Sequence, residues 1–104
     1  MYNSGDVVVV TAKLSEFGEE KKRLAVVLYE EFNNVVVAGI TANPYAKGIP
    51  LPKKEGVQMD STVKLNYVFT VSEDMLSKPL FRLSRERKKV VFGELMKLLS
   101  GMQV

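Results

Sequence analysis

Four consecutive valines, Val7-Val8-Val9-Val10, constrain the fold of this chain more than any other feature. β-Branched side chains lose rotamer freedom in a helix and pack well on a pleated sheet, so the run predicts a strand. Both parities of the alternation are apolar, so the strand is expected to be buried on both faces. Leu24-Ala25-Val26-Val27-Leu28-Tyr29 predicts a second strand, and Val35-Val36-Val37-Ala38-Gly39-Ile40-Thr41 a third. Asn33-Asn34 lies between them, and asparagine tolerates the positive φ of a tight hairpin. The polar stretch from Lys13 to Lys22, with Gly18 and Glu19-Glu20-Lys21-Lys22, reads as a surface loop.

Further along, residues 43–56 hold Pro44, Pro50 and Pro52 with Gly48 and Gly56, which predicts a long loop with a short edge strand. Val57 to Val71 predicts another strand. Within it Val63, Leu65, Tyr67 and Phe69 alternate with Thr62, Lys64 and Asn66, the period of a half-buried strand. Ser72 is a candidate N-cap with Asp74 in the first turn, so a short helix is expected there, ending at Pro79. Phe81-Arg82-Leu83 predicts a last short strand. From Ser84 the chain reads as a terminal helix with Val90, Val91, Leu95, Leu98, Leu99 and Met102 near one face and Gly101 at its stop. Five or six short strands in consecutive hairpins followed by one helix predict a mainly β chain, a small antiparallel barrel with a C-terminal helix.

A length of 104 residues suits one domain spanning residues 1–104. The chain has no cysteine, which excludes disulfides and thiolate metal sites, and no histidine, which removes the commonest general base and metal ligand. Chemistry must come from Arg, Lys, Asp, Glu, Ser, Thr or Tyr, and no metal or other cofactor is expected. The net charge of +3, from 15 basic and 12 acidic residues, permits an anionic partner without demanding one. No apolar run approaches the roughly 18 residues of a membrane span. Met1-Tyr2-Asn3-Ser4 carries no basic region or signal-peptide core, so a cytoplasmic protein with no membrane association is expected.

Several local patterns, in order along the chain, resemble the MazF/PemK toxin family. Gly5-Asp6 followed by the valine strand looks like that family's opening. Lys22-Arg23-Leu24-Ala25-Val26-Val27-Leu28 resembles its Arg-Pro-Ala plus aliphatic strand, with Leu24 in place of proline. Val36-Val37-Ala38-Gly39-Ile40-Thr41-Ala42-Asn43 resembles its hydrophobic strand ending in threonine and a small polar residue. Gly56-Val57-Gln58-Met59-Asp60-Ser61-Thr62-Val63 resembles its Asp-Ser or Asp-Gln segment, with Gln58 where some members carry arginine. Lys78-Pro79-Leu80-Phe81-Arg82-Leu83-Ser84 resembles its Lys-x-Leu-Gly-x-Leu approach to the last helix, with Phe81 in place of glycine. Together these cover nearly the whole chain.

The resemblance implies an SH3-like barrel of the MazF/PemK/CcdB kind, working as a homodimer. It implies an endoribonuclease that cuts single-stranded RNA without metal and is inhibited by an acidic antitoxin protein. In such a reaction the 2′-hydroxyl attacks the adjacent phosphorus, leaving a cyclic phosphate and a 5′-hydroxyl. Arg23 matches the catalytic arginine, and a guanidinium offers phosphate oxygens a planar fork of donors that stays charged. Thr41, at a strand end, would donate its hydroxyl to a phosphate oxygen. Asp60 would orient a donor or handle a proton; its plain alternative is an Asx-type turn residue before Ser61.

Lys22, Lys47, Lys53, Lys54 and Lys64 would track an RNA backbone. Ser61 would assist, and Phe17 and Tyr45 would stack on bases. For each lysine, plain solvation is the competing reading. Arg82, Arg85, Arg87, Lys88 and Lys89 crowd the helix start, where positive charge is unfavourable, and this points to an anionic partner such as an acidic antitoxin tail or to a solvated face. Two other functions remain open: a non-catalytic RNA- or protein-binding barrel, and a CcdB-type gyrase inhibitor. The latter depends on a C-terminal Trp-Gly-Ile, and this chain has no tryptophan.

Overall fold

The computed structural model describes residues 1–13 and 20–103. Six strands form one antiparallel sheet: β1 (Asp6–Lys13), β2 (Glu20–Glu31), β3 (Asn34–Thr41), β4 (Ile49–Leu51), β5 (Ser61–Ser72) and β6 (Phe81–Arg82). Their spatial order is β4-β5-β3-β2-β1-β6. A single helix, α1 (Arg85–Leu99), follows. The expected mainly β architecture with a C-terminal helix is therefore what the chain adopts, as a half-barrel.

Three of the four valines, Val7, Val8 and Val10, are buried as the sequence dictates, and Val9 is half-buried. Val7 belongs to one core cluster with Val26, Ala38, Leu51, Val63 and Val91, whereas Val8 and Val10 belong to a second with Ala25, Val27, Val35 and Val37. Neighbours along each strand thus feed opposite faces of the sheet, and both faces are covered. The two edges of the sheet are drawn together by side chains. Glu55, just after β4, accepts hydrogen bonds from the Ser84 N–H (2.8 Å) and hydroxyl (2.7 Å), and Arg87 Nη1 donates to the Pro50 carbonyl in β4 at 2.9 Å. Ser84 also caps α1 by accepting from the Arg87 N–H at 3.1 Å.

Several expected boundaries shift. The polar loop from Lys13 to Lys22 is shorter than its composition suggests, because Lys13 and Glu20 to Lys22 are already paired strand; cross-strand hydrogen bonds override low β-propensity. The hairpin turn falls on Phe32 and Asn33, with φ of 53° and 65°, and Asn34 already pairs with Glu31. β5 begins at Ser61, not Val57, although Val57 is buried. The expected short helix after Ser72 is a single 3-10 turn, Glu73–Met75, that ends before Pro79. The Ser72 hydroxyl gives it no backbone cap and bonds the Asp74 carboxylate.

The period-2 reading of β5 fails for a specific reason. Between the pairs Gly39–Lys64 and Ala38–Val68, β3 advances one residue while β5 advances four. The extra residues form a wide bulge that resets which face each side chain meets. Val63 and Leu65 therefore pack on the first cluster and Phe69 and Val71 on the second. Of the expected apolar face only Val91 is buried; Val90, Leu98 and Leu99 of α1 are exposed, as is Met102, which with Gly101 lies in a 3-10 turn (Ser100–Met102) that follows α1.

Candidate functional site

Arg23 and Thr41 are brought together by sheet register. The β2–β3 ladder runs from Glu31–Asn34 to Ala25–Gly39, and continuing it by two residues sets Arg23 opposite Thr41. Directly paired residues of an antiparallel ladder project to the same face. On its other side Thr41 pairs with Thr62 of β5, and Gly39 pairs with Lys64.

Two openings meet at this pair. One, of about 680 Å³, is lined by Lys22, Arg23 and Thr41 with Gln58, Ser61 and Phe81. The other, of about 210 Å³, is lined by Arg23, Thr41 and Lys64 with Gly39, Tyr67 and Phe69. The openings share Arg23, Leu24, Ile40 and Thr41 as walls, a two-part cleft along β2, β3 and β5. The Thr41 oxygen accepts from the Asn43 N–H at 3.2 Å, and its own proton has no acceptor among the described residues. The same local chemistry continues down the loop, where Asn43 Oδ1 accepts from the Tyr45 N–H at 2.9 Å.

Among the described residues the charge at the cleft is uncompensated. Among the described residues the ion pairs are Arg82–Asp6 and Lys97–Glu94, so Lys22, Arg23 and Lys64 have no carboxylate within salt-bridge distance. No carboxylate lines either opening among the described residues. Nor do the described residues include a cluster of three carboxylates suited to a metal ion.

Of the other expected site residues, Lys22, Lys64 and Ser61 line the openings and the rest lie beside or away from them. Asp60 is exposed and its Oδ1 accepts from the Lys53 N–H at 2.9 Å, so it holds the 3-10 turn Lys53–Glu55 beside the cleft, with the neighbouring Met59 and Ser61 lining the opening. The Ser61 hydroxyl donates to the Met59 carbonyl at 2.8 Å. Lys53 and Lys54 are exposed on that turn. Lys47 borders a separate groove between β4, β5 and α1, and Tyr45 is 89% exposed on its loop. Phe17 lies outside the described residues.

The basic cluster at the helix start is partly consumed within the molecule. Arg82 Nε donates at 2.9 Å to Asp6, which is only 2% exposed, and Arg87 is tied to Pro50. Sequence reasoning missed Tyr67 and Phe69 as cleft residues by assigning them to a core face. The signal that points to them is Gly39, a glycine inside a valine strand, which marks a close approach by another group. A Cβ there would lie 2.8 Å from the Tyr67 ring.

No helix of the described chain is long and apolar enough to cross a membrane. Among solved structures, the fold is similar to MazF in a MazE–MazF complex from Deinococcus radiodurans, with a TM-score of 0.73 and 18% identity over 95% of this chain and 96% of that one. It is also similar to MazF alone from the same organism, with a TM-score of 0.72 and 17% identity over 95% and 96% of the two chains. A mycobacterial endoribonuclease in complex with its cognate antitoxin gives a TM-score of 0.68 at 13% identity, covering 96% of each chain. No curated protein matches the chain significantly. Residues 3–99 match the model of the PemK-like, MazF-like toxin of type II toxin–antitoxin systems, so the chain belongs to that family.

Proposed function

We propose that this protein is an endoribonuclease that cuts single-stranded RNA without a metal ion. The 2′-hydroxyl oxygen forms a bond to the neighbouring phosphorus as the bond to the 5′-oxygen breaks. The 2′-hydroxyl gives up its proton and the departing 5′-oxygen gains one, so the products are a 2′,3′-cyclic phosphate and a 5′-hydroxyl. The observation that carries this reading is a guanidinium and a hydroxyl, Arg23 and Thr41, side by side in a cleft whose cations and hydroxyl proton lack partners among the described residues.

Arg23 neutralises the charge that builds on the pentacovalent phosphate, and preorganised donors aimed at developing charge are the strongest lever a site of this kind has. Thr41 donates to a phosphate oxygen. Lys22 and Lys64 hold the flanking backbone electrostatically. Asp60 acts through the turn it holds as a positioning residue. With no carboxylate lining the cleft among the described residues, charge stabilisation outweighs carboxylate base catalysis in this scheme.

The natural partner in this reading is an acidic antitoxin, and the working unit is a cytoplasmic homodimer. The apolar side chains that α1 leaves exposed, Phe92, Leu98 and Leu99 among them, favour association. Light scattering at micromolar protein should give twice the 11.6 kDa chain mass, and a strict monomer would remove the dimer.

The test of function is incubation with mixed-sequence RNA in EDTA. Discrete fragments with cyclic phosphate ends are expected. Intact RNA with a mobility shift would instead establish a non-catalytic RNA-binding barrel.

A further inference from the structure

The smaller half of the cleft has features that phosphate chemistry does not require. The β5 bulge carries Tyr67 out of the ladder and over β3. Its ring sits against Gly39, where the missing side chain leaves it room: a Cβ would lie 2.8 Å from Cδ1 and 3.6 Å from Cε1. Phe69 meets the same ring edge to face, with centroids 5.4 Å apart and planes at 69°. A ring seated on backbone and braced at right angles by a second ring is held in place before any ligand arrives. Tyr67 nevertheless remains 49% exposed. A large aromatic surface that is both fixed and open is suited to stacking.

The space beside it is small and one-sided in charge. Its volume is about 210 Å³. That is below the roughly 300–1,000 Å³ of pockets that take drug-sized molecules, and it suits one planar ring system rather than a whole nucleotide pair. Arg23 and Lys64 border it, donor-only groups that lack a carboxylate partner among the described residues. Arg23 also borders the larger opening, so it stands where the two meet.

We infer that this pocket takes a single unstacked nucleobase of the RNA, lying on the Tyr67 ring and next to the phosphate held by Arg23. The inference rests on the ribonuclease reading above and adds to it a residue that decides which nucleotide is seated at the cut. Single-stranded RNA is read by such splayed bases on aromatic platforms, because an unpaired base offers both a π-face and a free edge. Lys64 can donate to the O4 of uracil or the O6 of guanine, the position at which cytosine and adenine carry an amine that is itself a donor.

The test is a double-mutant cycle between enzyme and substrate. An oligoribonucleotide spanning a mapped cleavage site is made with an abasic nucleotide at each position around the cut in turn. The wild-type protein should lose roughly ten- to a hundredfold in single-turnover rate at one position and little at the others, the scale of one base–aromatic stack. Tyr67→Ala should lose a similar factor on intact RNA, and Tyr67→Phe should recover most of it. The two losses should not add when Tyr67→Ala meets the abasic position. The wild-type arm needs no substitution, so it stands even if Tyr67→Ala is poorly folded.

Wild-type cleavage indifferent to abasic sites, or losses that multiply, would overturn the pocket while leaving the ribonuclease reading intact. A wild-type protein that neither cleaves the RNA nor binds a 2′-O-methylated copy of it in fluorescence anisotropy would overturn both.

Discussion

The two ends of β2 share one backbone and face opposite demands. From Ala25 to Val27 the strand is buried and paired with β3, Ala25 and Val26 pair with β1 on the other side, and the strand closes at a tight turn on Phe32 and Asn33. From Lys21 to Arg23 it remains paired with β1, but all three side chains are cations exposed to solvent. The change occurs within two residues, where the β2–β3 ladder reaches Gly39 and the cleft begins. Folding free energy is thus concentrated at one end and, among the described residues, unpaired charge at the other. Substitutions at the two ends should separate stability from activity.

The largest effect on stability is expected at the buried end. Val26 is 1% exposed in the first core cluster, so Val26→Ala removes two packed methyl groups and should cost about 2 kcal/mol. For a chain of this length that lowers Tm by roughly 10 °C. Cleavage measured well below that Tm should stay near the wild-type rate. A large loss of activity in a folded Val26→Ala protein would mean that the two ends are mechanically coupled.

A smaller effect tests the bridge between the sheet edges. Burial alone would raise the Glu55 pKa, but the Ser84 N–H and hydroxyl, with Arg87 and Lys54 nearby, outweigh it and hold the carboxyl below its ordinary value of 4.5. A carboxyl depressed in the folded state contributes stability that is complete above its unfolded pKa and is lost as pH falls through its folded pKa. Wild type should therefore be more stable than Glu55→Gln near neutrality, and the Tm gap should narrow as pH falls below 4.5. A gap that stays unchanged as the carboxyl becomes protonated in acid would show that the charge of Glu55 contributes nothing to the bridge.

Much of the fold was legible in the sequence because valine runs state both strand and burial. That Arg23 and Thr41 line the same openings was legible only through the family resemblance, since strand register brings together residues eighteen positions apart and periodicity does not encode it. Tyr67 was misread because a bulge reverses facing without leaving a mark in the alternation it interrupts. Asp60 was ambiguous for a physical reason: the same carboxylate that could serve a reaction also suits a turn, and here the Lys53 N–H engages it. The basic helix start looked free because sequence alone does not reveal that Asp6 and the Pro50 carbonyl take up Arg82 and Arg87.

The smallest effect lies at the closed tip of β2. Phe32 is 87% exposed with φ of 53°, a left-handed conformation that a bulky residue adopts at a cost. Two central residues with positive φ make a hairpin turn that asparagine and glycine favour. Phe32→Asn should raise stability by about 0.5 kcal/mol and leave cleavage unchanged. Destabilisation would show that the Phe32 ring makes contacts that outweigh its backbone strain.

The most direct measurement is made on Arg23→Ala, with melting temperature and single-turnover cleavage taken from the same preparation. An exposed side chain at the charged end contributes little to folding, so stability should change by no more than about 0.5 kcal/mol. Removing one aimed donor from a charged transition state should cost on the order of 3 kcal/mol, at least a hundredfold in rate. Arg23→Lys should restore only part of it, because an ammonium keeps the charge and loses the fork. A folded Arg23→Ala protein that cleaves RNA at the wild-type rate would contradict the account at its centre.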